Sequence, residues 1–237
     1  MRKTLFLTFV VTLLLTTSVF AATGPSVAVL DFRNTSSAYW WKPGLGTELA
    51  GLLSNELTAT KKFNVVERQK IGAAINELKF GESGLVDPST KRKLGKIKAA
   101  HYLITATITS FEENTSEDGG AISFMGFSVG RKEARASLSI DLRVINTETG
   151  EIADSRSIEA TSETSANAIS GSFMGIGGST GNAQKVPVTK AVRGAVILIS
   201  EYLECSMVEK TPECIAKYDA ADAKRRAKTR ESIKLDE

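Results

Sequence analysis

The stretch ARASLSIDLRVINTETGEIADSRSIEATSET, Ala134 to Thr164, decides the fold. Ala136, Leu138, Ile140, Leu142 and Val144 alternate with Arg135, Ser137, Ser139, Asp141 and Arg143. That period of two is the signature of a half-buried antiparallel strand. NTETG, Asn146 to Gly150, supplies a turn, and Glu151 to Thr164 returns as the partner strand. Two near-copies of an uncharged, glycine-rich motif flank this pair: AISFMGFSVG, Ala121 to Gly130, and AISGSFMGIGGSTG, Ala168 to Gly181. Each copy sits where a hairpin would leave the sheet, so both project from the same sheet. Such a geometry suits a pair of membrane-inserting hairpins, or two loops that pack on a partner.

Upstream, strands and helices alternate. SVAVLDF, Ser26 to Phe32, reads as a buried strand, and a polar, aromatic loop with Tyr39, Trp40 and Trp41 follows it. Leu45, Leu49, Leu52, Leu53 and Leu57 then recur at helical spacing, which predicts a helix over Leu45 to Thr58 with a leucine face on the sheet. Phe63 to Arg68 reads as a second strand, and Ile71, Ala74, Ile75 and Leu78 mark a second helix. Asp87-Pro88 has the order of a capping side chain followed by proline at the first helical position, predicting a third helix to about Ile97. His101 to Glu112 is the next strand, rich in β-branched residues, and Val188 to Met207 is the last well-marked helix. The fold class that follows is α/β: a mixed sheet covered by helices, an αβα sandwich, with two projecting glycine-rich β-hairpins.

The N-terminus predicts export. Arg2 and Lys3 precede an apolar run from Leu5 to Leu15, and Val19-Phe20-Ala21 places small residues for cleavage before Ala22, so 1–21 reads as a signal peptide. The run is shorter than the roughly 20 residues that a spanning helix needs. Without Arg2 and Lys3 the formal charge falls from +3 to +1, which gives no strong attraction to a polyanion and predicts no nucleic-acid partner. Beyond the signal no helix-length apolar segment occurs, so entry into a membrane would use strands. The domain is expected over 22–207, with a charged C-terminal tail over 208–237 that from Lys217 reads as a solvated helix.

Two cysteines, Cys205 and Cys214, occur with Pro212 between them, and an oxidising compartment predicts that they pair in a disulfide. Their spacing is not that of a metal site. The single histidine, His101, is expected to cap a helix C-terminus in KAAHYL. No serine or cysteine motif accompanies it, and GFSVG around Ser128 matches a nucleophile elbow by letter alone, because it lies in an alternating hairpin and not at a strand-to-helix turn. Neither catalysis nor a cofactor is expected.

VAVLDF with its following loop and leucine helix, FNVVERQKIGAAINELKF, AAHYLITATITSFE and above all LSIDLRVINTETGEI resemble the CsgG/HfaB family of outer-membrane assembly proteins, over Ser26 to about Leu203. The resemblance implies a ring of identical subunits in the outer membrane, each giving two β-hairpins to a shared barrel, with a loop after the first strand constricting the pore. Carried onto this chain, the hairpins are 111–135 and 162–186, and the constriction loop is Asn34 to Gly44, with Tyr39, Trp40 and Trp41 in the aromatic position. Membrane-facing candidates are Ile122, Phe124, Phe127 and Val129 in the first hairpin and Ile169, Phe173 and Ile176 in the second.

The chain departs from the family in two ways: no cysteine stands at the expected mature N-terminus for lipidation, and the hairpins are poor in large apolar residues. The implied partners are further copies of the chain, outer-membrane lipid, a secreted protein substrate and accessory envelope proteins. A second reading stays open, a soluble periplasmic binding module that docks on an envelope partner, as a regulator of cell-wall synthesis or an assembly chaperone would.

Overall fold

The computed structural model describes residues 24–124, 127–173, 176–178 and 185–233, and their side chains outside 115–133 and 164–186. The expected signal peptide therefore lies outside the described residues. A seven-stranded mixed sheet carries the fold. Its parallel part joins β1 (Ser26–Val29) to β3 (Asn64–Val65) and to β4 (Tyr102–Phe124), with β2 (Arg33–Asn34) also parallel on β4. Parallel neighbours need crossover connections, and α1 (Leu45–Thr60) makes the one from β1 to β3.

The antiparallel part is a meander of β4, β5 (Phe127–Asn146), β6 (Ile152–Phe173) and β7 (Ile176–Gly178), giving the order β3-β1-β4-β5-β6-β7. The alternation seen in the sequence sets this register. Ala136, Leu138, Ile140, Leu142 and Val144 are all at most 2% exposed, whereas their odd-numbered neighbours face outward. Leu49, Leu53 and Leu57 of α1 and Ala195, Ile199 and Leu203 of α3 (Lys185–Leu203) close over that face. Each such aliphatic side chain contributes about 1.5–3 kcal/mol by leaving water. Leu52, which points off the stripe, stays 42% exposed.

The first turn of α1 depends on two glycines. Gly44 holds a left-handed φ of 87° at the N-cap. Gly46 lies so close to the chain that a Cβ there would sit 2.2 Å from the Phe32 carbonyl oxygen.

The structure departs from the sequence reading in three places. No helix forms over Asp87 to Ile97: Asp87 caps a single turn by accepting from the Ser89 amide at 2.8 Å, and Gly95 then takes a φ of 75°, which ends helical backbone. With that helix gone, His101 caps nothing; its amide and carbonyl bond Ser26 and Thr147 at the foot of the sheet. The αβα sandwich is not built by α2 (Ile71–Gly81), which buries no residue, so the packed helical layer is that of α1 and α3. The chain beyond Leu203 makes a π-helical turn over Glu204–Glu209 and then α4 (Pro212–Ser232), capped by the Thr211 hydroxyl, so the tail is helical from Lys217 as expected and none of its residues is fully buried. No described helix is long and apolar enough to cross a membrane.

Candidate functional site

The loop after β1 is held against the root of the long strands. Asn34 folds the backbone by accepting from the Ser36 amide at 3.0 Å and its hydroxyl at 2.6 Å, and the Thr35 amide hangs the loop from the Ile108 carbonyl of β4. This placement sets Trp40 edge-on to Phe111 with centroids 5.6 Å apart, and Tyr39 edge-on to the same ring at 5.9 Å. The Tyr39 hydroxyl donates to Glu113 Oε2 at 2.7 Å. That bond to a carboxylate, followed by burial and the Glu113 charge, raises the Tyr39 pKa.

Of the three aromatic candidates, Tyr39 keeps its ring in solvent at 69% exposure, whereas Trp40 and Trp41 pack against the core. Trp40 Nε1 and Glu113 Oε1 are buried without a partner among the described residues. At both atoms water or a neighbouring chain would complete the hydrogen bonding. Phe111 and Glu113, which sequence reasoning did not single out, are thus the residues that fix the aromatic loop to β4. Their signal was positional only: alternate residues of one strand just above the core.

Above that point the strand ladder continues. β4 and β5 pair through Ile122 with Val129 and Phe124 with Phe127; Val129 pairs with Ile169, and Phe173 with Ile176. The register therefore brings all seven membrane-facing candidates into one set of facing positions, with their side chains outside the described residues. In β5 these are odd-numbered positions, and the helix-covered positions below are even-numbered, so the apolar row changes faces along the same strands. Between the two rows lies a charged band that includes Glu112, Glu117, Asp118, Arg131, Lys132, Glu133 and Glu163.

A second constellation closes the opposite end of the sheet. Cys205 and Cys214 form the expected disulfide, with Cα atoms 5.9 Å apart, tying the π-helical turn to α4. Beside it Arg156 of β6 lies 4.9 Å over the Tyr202 ring and 5.9 Å from that of Tyr218, and donates to Asp219 at 2.7 Å. The two rings meet edge-on at 5.1 Å, and the Tyr202 hydroxyl donates to the Asp154 carboxylate at 2.7 Å. Burial first and Asp154 second push the Tyr202 pKa up to about 12. Asp154, Arg156, Tyr202 and Tyr218 line a hollow of about 410 Å³ with Met207 and Ile215. Among the described residues no cluster of histidine, cysteine or carboxylates could hold a metal ion.

Comparison with known proteins places the chain. The sequence model of the family described as "Curli production assembly/transport component CsgG" matches residues 12–233. The proteins of that name from Salmonella typhimurium and from Escherichia coli K12 are each 27% identical over 108 residues, 44% of this chain and 39% of theirs. The alignment thus spans about two fifths of those relatives' length. Among solved structures, the hypothetical protein CT253 from Chlamydia trachomatis is 17% identical with a TM-score of 0.38, covering 76% of this chain and 98% of its own. The PelC dodecamer subunit from Paraburkholderia phytofirmans is 9% identical with a TM-score of 0.31, covering 74% and 86%. The match of the family model over nearly the whole length is decisive: the chain belongs to the CsgG family of curli production assembly/transport components.

Proposed function

We propose that the chain is a non-enzymatic subunit of a homo-oligomeric ring at the outer membrane, in which strand extensions 111–135 and 162–186 join those of neighbouring copies in a closed β-barrel that exports protein subunits. One observation carries this reading beyond family membership: the register that sets Ile122, Phe124, Phe127, Val129, Ile169, Phe173 and Ile176 at facing positions, with serine or glycine at Ser123, Ser128, Gly130, Ser170 and Ser172 between them. Apolar residues on one face and small polar ones on the other is the pattern of a barrel strand between lipid and water. In hydrocarbon every backbone group must be paired, so one subunit's strands enter only with their neighbours', and insertion and oligomerisation are one event. Tyr39, the exposed member of the aromatic loop, is the constriction residue on this reading, and Trp40 and Trp41 hold it in place.

The brevity of the apolar rows favours the second reading, a soluble periplasmic module docking on an envelope partner, since a spanning strand needs about 9 to 11 residues. Two variants separate the readings. An arginine on the lipid face costs up to about 2–4 kcal/mol near the midplane, so Phe124→Arg or Phe173→Arg abolishes carbonate-resistant membrane association while the circular dichroism of the α/β core is kept. Membrane fractionation of both variants equal to that of the wild type refutes the barrel and leaves the soluble module.

A further inference from the structure

The face of the sheet opposite to α1 and α3 carries an apolar row that no described helix closes. Val29, Ile104 and Val144 point into the core, so the residues next to them in each strand point the other way. The register sets Ala28, Leu103, Ile145 and Ile152 side by side across β1, β4, β5 and β6, and Val66, whose amide bonds the Val27 carbonyl, extends the row past β3. Ala28 is fully buried, Val66, Leu103 and Ile145 are partly buried and Ile152 is 55% exposed, so the row opens toward the β6 edge. One step above it on β4, β5 and β6 the same face turns polar, with Thr105, Arg143 and Ser155 as facing partners.

Helix α2 carries a matching stripe. Ile71, Ala74, Ile75 and Leu78 fall at helical spacing on one side of it, and none of them is buried. The helix has 11 residues, with Gly72 among them and no side-chain bond at its N-cap. In water an isolated helix shorter than about 12–15 residues is marginal. A surface that covers the stripe is therefore what holds α2 together.

The row of its own chain is out of line for that role. Glu67 Oε1 accepts from the Gln69 and Lys70 amides at 2.6 and 2.9 Å, and Gln69 Nε2 donates to the Thr47 carbonyl of α1 at 3.0 Å. The start of α2 is thus tied to the α1 side of the sheet, and the row lies on the other. At this level β3 is one edge of the sheet and β6 the opposite edge. A helix that leaves the sheet at β3 meets, in an adjacent copy, the β6 edge where the row is open. A contact between opposite edges is head to tail, and it repeats into a ring when the rotation closes.

We infer that α2 of one copy docks its stripe of Ile71, Ile75 and Leu78 on the Leu103, Ile145 and Ile152 row of the next, supplying in the assembly the second helical layer that one chain lacks. The inference deepens the ring reading and rests on it for the order of the copies.

The test is thiol cross-linking of the full chain in detergent extracts, with the Cys205–Cys214 disulfide left unreduced. Ile75→Cys and Ile152→Cys, both at exposed positions, are placed in differently tagged copies, co-expressed and treated with a short bis-maleimide. The expected product joins one tag to the other, each variant alone gives no linked pair, and the double variant runs as a ladder. Ile152→Glu, which sets an unpaired charge in the contact, weakens assembly by about tenfold or more while circular dichroism is kept. A link within one chain of the double variant puts α2 on its own sheet and overturns the inference. Closed rings whose differently tagged copies stay unlinked, or unchanged assembly of Ile152→Glu, overturn it as well. Linked copies without closed rings keep the contact and refute the ring, and a monomer that gives no link overturns both.

Discussion

Replacing Arg156 with alanine removes the side chain around which α4 is held. Its ion pair reaches Asp219, a carboxylate 62% exposed, and contributes about 0.5 kcal/mol. The guanidinium also lies against the Tyr202 and Tyr218 rings, at about 0.5–1 kcal/mol for each. With the packing of its stem, which is largely buried, the loss is about 1.5–2.5 kcal/mol. Because no residue of α4 is fully buried and Tyr218 packs only partly against the core, most of that loss falls on its docking and little on the core of β5, α1 and α3. Hydrogen exchange read peptide by peptide, beside a urea titration, separates the two effects. In Arg156→Ala the amides of 216–231 exchange at least about tenfold faster, as a docking loss above about 1.4 kcal/mol requires, while those of β5 change less. Arg156→Lys falls between, since it keeps the charge without the planar stacking. Unchanged exchange in α4 together with a global loss below about 0.5 kcal/mol would refute the assignment of Arg156 as its anchor.

Three further outcomes follow from the geometry. Tyr202 holds its proton to about pH 12 when folded and to about 10 when unfolded, so its contribution is fully present below about pH 10 and is lost on the way to about 12, some 2–3 kcal/mol; Tyr202→Phe flattens that limb of the stability-versus-pH curve. Reducing the Cys205–Cys214 disulfide removes about 2–3 kcal/mol on the chain-entropy account of a short loop, measured by urea titration with and without reductant, and an unchanged midpoint contradicts this. Gly46→Ala destabilises by about 1–3 kcal/mol because its Cβ meets the Phe32 carbonyl, whereas Gly51→Ala, whose nearest neighbour is a flexible glutamine oxygen at 3.5 Å, gains up to about 1 kcal/mol of helix propensity; thermal melts of the pair in the opposite order contradict the packing.

What the sequence made legible was whatever one segment encodes alone. The alternation from Ala134 to Val144, the leucine stripe of α1 and the NTETG turn each appear where their periodicity or turn chemistry put them. The missing helix after Asp87 shows the limit of a local cue: the cap forms, but Lys91, Arg92, Lys93, Lys96 and Lys98 leave only Leu94 and Ile97 as an apolar face, both are exposed, and nothing packs the segment down. The full length of β4 was not legible from local pattern, because EENTSEDGG carries no alternation and only the family resemblance set a hairpin over 111–135; its backbone pairs with β5 through Asp118. At the candidate site the aromatic residues were visible in the sequence and their anchors were not, because Tyr39 meets Glu113 across 74 positions. The Arg156–Tyr202–Tyr218 stack escaped for the same reason: it joins a strand and two helices that no local pattern connects.

The central claim is that this chain works as a closed ring of copies, and electron microscopy of the protein extracted from membranes in detergent tests it most directly. A single population of closed rings, with the extensions 111–135 and 162–186 forming one continuous wall, is the predicted result. A monomer in detergent, with the protein released from cells by osmotic shock alone, would contradict it.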